Sequence, residues 1–165
     1  MRRTAMVLVM LFIAPALLGV VAETPDTIVL DGDMSDWPQD SLQTTDSNAV
    51  TFRMTWDESH LFIGWSGTDW ASESDGADLF IYLNTTEGGT PLSKDWNLAQ
   101  TLPFAADHAF VLEDSAYYSL QMHDGSAWVE NPESATAWVG YSENQNTEVG
   151  IPWSAIGNPE HVGVI

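Results

Sequence analysis

From Thr27 to Ile165 the sequence is written in short β-type runs closed by turn residues, and this punctuation restricts the fold more than any other feature. The runs are TIVL (27–30), AVTFRMTW (49–56), HLFIGWSG (60–67), ADLFIYLN (77–84), HAFVLED (108–114), YYSLQMHDG (117–125), SAWVEN (126–131), ATAWVGYSE (135–143), TEVGIPW (147–153) and EHVGVI (160–165). In AVTFRMTW, Val50, Phe52, Met54 and Trp56 alternate with Thr51, Arg53 and Thr55, the period of a strand with one buried face. HLFIGWSG is apolar nearly throughout, which predicts a strand covered on both faces, and DES (57–59) before it is hairpin-sized. Only DWNLAQTL (95–102) offers helical text, one or two turns of it. Short strands at intervals of about 8–12 residues predict an all-β fold, a two-sheet antiparallel β-sandwich of jelly-roll or immunoglobulin-like type.

The first 22 residues read differently. Arg2 and Arg3 precede an uncharged apolar stretch from Ala5 to Ala22, and Val20 and Ala22 supply small residues before Glu23. That pattern predicts a signal helix over 1–22, or an N-terminal anchor if uncleaved, followed by one sandwich domain over 23–165. The last run stops at Ile165 in mid-pattern, which raises the expectation that the domain continues. The expected location is extracellular or at the cell surface. The chain has no cysteine, so no disulfide framework holds the fold and the core must. Beyond residue 22 only Arg53 and Lys94 oppose all 24 acidic residues, a formal charge of −22. Such a surface argues against nucleic acid and anionic lipid as partners, leaving membrane contact to the N-terminal segment.

Four aspartates crowd VLDGDMSDWPQD (29–40). A helix–loop–helix calcium loop starting at Asp31 would place Asp33 and Ser35 well, but has Asp36 where Gly is needed and Leu42 where Glu is needed. The reading preferred is a strand-to-turn corner with Trp37 plugging the core. The alternative keeps Asp31, Asp33 and Asp36, with Asp75, as ligands of a structural calcium ion.

Eight tryptophans mark the chain. Trp37, Trp56 and Trp153 sit in apolar patterns and read as core. Trp70 and Trp96 lie in polar text, GTDWASES and SKDWNLAQ, where an indole suits stacking on the C–H face of a sugar ring. Asp69, Glu73 and Asp78 are placed to bond hydroxyls beside Trp70. No serine elbow, zinc-spaced histidine pair or phosphate-binding glycine loop is present, so the expectation is a non-catalytic protein. His60 in its hairpin reads as solvent-facing. His108 and His123, with Met54 or Met122, are the residues to which haem ligation would fall, an alternative weighed against structural histidines. Asn84 opens the glycosylation sequon NTT.

LDGDMSDW, WDESHLFIGWSGTD (56–69), DGADLFIYLN (75–84) and TEVGIPWSAIG (147–157) together resemble, in order, the family 9 carbohydrate-binding modules and their DOMON-like relatives. The resemblance implies a β-sandwich, calcium in many members, and non-catalytic binding of polysaccharide or oligosaccharide, commonly beside an enzyme domain. It also implies a clamp of two tryptophans, for which Trp70 is the nearest counterpart here. DOMON-like haem domains are the alternative it brings, and a calcium-stabilised surface or adhesion domain without a small ligand stands as a third possibility.

Overall fold

The structure is a computed structural model describing residues 28–43, 51–66, 79–94, 99–113, 116–138 and 146–164. It is an all-β sandwich. One sheet runs in the order β1 (Leu42–Gln43), β2 (Thr51–Trp56), β3 (His60–Ser66), β11 (Thr147–Pro152), β10 (Thr136–Trp138). The other runs β12 (Gly163–Val164), β4 (Leu79–Asn84), β7 (His108–Leu112), β8 (Tyr118–His123), β9 (Trp128–Glu130). All pairings are antiparallel, and a two-stranded ribbon, β5 (Thr90–Leu92) with β6 (Thr101–Ala106), stands outside the second sheet.

Alternation along the strands sends one set of side chains between the sheets. Ile63, Leu83, Phe110, Leu112, Val149 and Ile151 are buried there, and with their neighbours form the main core. At about 25 cal/mol per Å² of apolar surface removed from water, such a core can hold a disulfide-free domain of this size.

The outer faces are covered too. β3 is buried from Leu61 to Trp65, as its continuous apolar text requires. Leu61, Ile63 and Trp65 face the inner core, whereas Phe62 faces out and packs with Ile28 and Trp37 of the N-terminal segment. On the second sheet, Tyr82, Ala109 and Val111 pack outward against Leu102, Phe104 and Ala106 of the ribbon. The ribbon was not foreseen: Pro91 and Pro103, which cannot donate to a ladder, mask its strand pattern and are tolerated because each strand has only one partner.

Three expectations are corrected. TIVL forms no strand where described; Ile28 to Leu30 lie as an irregular strap across the first sheet. Thr101 and Leu102, the end of the helical text, belong to β6. Trp56 is not core but 49% exposed. It occupies the last rung of β2, opposite Leu61, where the inner face runs out at the hairpin. The place beside it is taken by Trp153, which is half-buried against the main core and donates its indole N–H to the Asp57 carbonyl at 2.9 Å.

Candidate functional site

Each sheet carries on its outer face a row of residues in register, and the two rows are put to different use. In the first sheet Arg53, Gly64 and Glu148 stand side by side on β2, β3 and β11. Trp37 lies over the gap that Gly64 leaves: a Cβ there would come within 3.1 Å of the indole and 2.7 Å of the Met34 methyl. The Trp37 Nε1–H donates to Glu148 Oε1 at 2.7 Å, and the backbone N–H groups of Asp31 and Gly32 donate to Glu148 Oε2. Arg53 donates to the Pro38 carbonyl at 3.2 Å and to Ser41 Oγ at 3.1 Å. Glu148 is fully buried. That burial pushes its carboxyl above the ordinary range, against the three donors, and the nearby Asp36 pushes the same way.

The aspartates before Trp37 act locally. Asp31 Oδ1 accepts from Asp33 N–H, Asp33 Oδ1 accepts from Ser35 N–H, and Asp36 Oδ2 accepts from Val29 N–H. They bend the chain so that Trp37 enters its slot. Asp36 Oδ1 is buried without a hydrogen-bond partner among the described residues. Among the described residues no three carboxylate, histidine or cysteine groups gather as metal ligands. Asp75, the fourth expected ligand, lies outside the described residues.

The second sheet's row is Tyr82, Ala109, Gln121 and Glu130, on β4, β7, β8 and β9. Lys94, next after the ribbon's first strand, spans the small Ala109. Its backbone N–H donates to the Tyr82 hydroxyl at 3.0 Å and its Nζ donates to Gln121 Oε1 at 3.1 Å. Burial raises the Tyr82 phenol, so the hydroxyl keeps its proton. Gln121 Nε2 in turn donates to Ser119 Oγ, leaving the Ser119 O–H to donate elsewhere. Ser119 and Glu130 line a polar cleft of about 450 Å³ at the β8–β9 edge, with Tyr118, Asn131 and Ser134. Asn131 is fixed by donating to the Ala155 carbonyl at 2.7 Å. One rung along, Trp128 is half-buried, packs edge-on to Tyr82 and His123, and donates its indole N–H to the Leu92 carbonyl.

Sequence reasoning missed this group because its members are single polar residues on four strands, brought together only by register. Lys94, as one of two lysine or arginine residues beyond residue 22, was the available signal. The residues expected to bind sugar, Trp70, Trp96, Asp69, Glu73 and Asp78, lie outside the described residues. Trp96 falls between Ser93 and Gln100, which pair through Ser93 N–H to the Gln100 carbonyl at 2.8 Å.

Elsewhere, Asp107 between β6 and β7 accepts from the backbone N–H and hydroxyl of both Thr85 and Thr86, and His108 Nδ1 lies 3.7 Å away. Burial works against its charge, but these donors hold its carboxyl well below the usual range. The sequon residue Asn84 ends β4, paired with Gly163, and its Thr86 is one of the Asp107 partners. His108 and His123 point to opposite faces of the second sheet by alternation, so the two do not face one haem. Comparison with family models, with curated proteins and with solved structures gave no match.

Proposed function

We propose that this is an exported, non-catalytic carbohydrate-binding domain whose ligand, a polysaccharide or oligosaccharide, lies along the outer face of the second sheet. The observation that carries the reading is the Lys94–Gln121–Ser119 hydrogen-bonded chain leading into the polar cleft beside Glu130. It places an ammonium, an amide, a hydroxyl donor and a carboxylate acceptor within one short row. A polyhydroxylated ring offers both donors and acceptors and can pair with the groups that line the cleft, the Ser119 hydroxyl and the Glu130 carboxylate, whereas an apolar ligand would leave them unpaired. Trp128 supplies a half-buried ring at one end, and Trp96 follows Lys94 by two residues in sequence. The motifs resembling family 9 carbohydrate-binding modules support the same class. One stacked indole and a few exposed hydrogen bonds give weak binding, roughly micromolar to millimolar.

Affinity electrophoresis through gels containing neutral polysaccharides tests this. Wild-type protein should be retarded by at least one of them, and Trp96→Ala and Glu130→Gln should each migrate as in a blank gel while keeping the wild-type melting temperature. Unaltered retardation in both variants would place the ligand elsewhere.

A further inference from the structure

A second site, independent of the carbohydrate reading, lies on the opposite face of the molecule. On the first sheet the row next to Arg53–Gly64–Glu148 is Thr136, Gly150 and Phe62, on β10, β11 and β3. Gly150 carries no side chain, and the strap passes overhead: a Cβ at Gly150 would meet Leu30 Cδ1 at 3.3 Å and the Phe62 ring at 3.4 Å. The space left is a cavity of about 220 Å³ with Phe62 and Gly150 below, Ile28 and Leu30 from the strap, and Thr136 at the side.

Its remaining lining is polar and comes from the β2–β3 hairpin. His60, expected to face solvent, is half-buried: its ring stacks on Phe62 at 5.6 Å between centroids, 29° between planes, and Nδ1 lies 2.7 Å from Ser59 Oγ. Asp57 Oδ1 accepts from Ser59 N–H, Ser59 O–H and His60 N–H. Although partial burial works against the charge, these donors lower the Asp57 carboxyl and keep it ionised. Oδ2 has no hydrogen-bond partner among the described residues. Of the two cations beyond the leader, Arg53 is spent on Pro38 and Ser41 and Lys94 on Gln121, so neither neutralises Asp57.

An apolar cavity beside an ionised carboxylate with a free oxygen, an aromatic wall and no lysine or arginine to pair with it among the described residues matches one ligand chemistry. We infer that this cavity binds a small organic cation, an alkylammonium whose chain enters between Leu30 and Phe62 and whose charged head meets Asp57 Oδ2. The aromatic face of Phe62 favours the same sign of charge, and the formal charge of −22 beyond residue 22 attracts cations to the surface as a whole. An anion is opposed on all these counts, and a neutral chain of equal size gains only the apolar contact.

The experiment is an NMR titration of full-length protein with n-butylammonium, butan-1-ol and butyrate as size-matched probes. The ammonium should shift the Phe62, His60 and Gly150 signals saturably, with butanol about tenfold weaker and butyrate silent. Asp57→Asn keeps the Oδ1 acceptor of the turn and should bring the ammonium down to the butanol level. Thr136→Phe, at an exposed wall position, should block both probes. Equal affinity for ammonium and alcohol would overturn the charge assignment, and absence of shifts at these residues with any probe would overturn the site. If Asp57→Asn proves unstable, the ammonium-to-alcohol ratio in wild-type protein and Thr136→Phe decides.

Discussion

The strap over the first sheet and the ribbon over the second solve the same problem with opposite chemistry. Each covers a row in which a small residue, Gly64 or Ala109, separates polar groups. Over Gly64 the cover is an indole locked by a fully buried carboxylate with three donors, leaving Trp37 4% exposed. Over Ala109 it is a flexible lysine, and the polar row continues past it to an exposed Glu130 and an open cleft. In the first arrangement both Glu148 oxygens and the Trp37 indole N–H are bonded inside the protein, Asp36 Oδ1 being the buried oxygen left over among the described residues. The second runs out to the surface, where Ser119 and Glu130 line the cleft. A carboxylate sealed under an indole marks structure, and a polar row that continues into a cleft is where a ligand can be met.

Truncating one indole in each region should separate them most clearly. Trp37→Ala removes a buried indole and leaves Glu148 short of a donor, and should cost about 3–5 kcal/mol in chemical denaturation. Trp128→Ala, at a half-buried ring, should cost about 1–2 kcal/mol. Similar losses from both would erase the distinction. A smaller effect is expected at Gly64→Ala, whose methyl meets the Trp37 ring and the Met34 methyl: about 1–3 kcal/mol, read in the same assay.

The smallest effect is a slope in pH. Glu148 is raised above its unfolded value of 4.5, so the folded protein takes up this proton at a higher pH than the unfolded chain. Its ionised form therefore costs stability at neutral pH, and the cost is relieved as pH falls through the folded value toward 4.5. Asp107 is lowered, so its contribution is present above its unfolded value of 3.8 and is lost as pH falls below that. Glu148→Gln should abolish the gain just above pH 4.5, and Asp107→Asn should abolish the loss below pH 3.8, in urea titrations at stepped pH.

Much of the scaffold was legible because alternation and turn residues are local signals. The continuous apolar text of β3 announced two covered faces, and the Asp-rich corner announced a turn that seats Trp37. The ribbon stayed hidden behind Pro91 and Pro103. Trp56 misled because alternation gives the face of a strand but not where that face ends. Neither row could be read, since register between β3 and β11 joins residues more than 80 positions apart and leaves no mark in local sequence. Glu148 shows this most plainly: in TEVGIPW it reads as a surface acid, yet it is the buried acceptor on which the strap depends.

The most direct test is a backbone amide NMR titration with an oligosaccharide drawn from whichever polysaccharide retards the protein. Shifts concentrated at Lys94, Ser119, Gln121, Trp128 and Glu130, with the strap from Ile28 to Trp37 unmoved, are the result expected. Shifts confined to the strap and the first sheet would contradict the division of labour between the two covers.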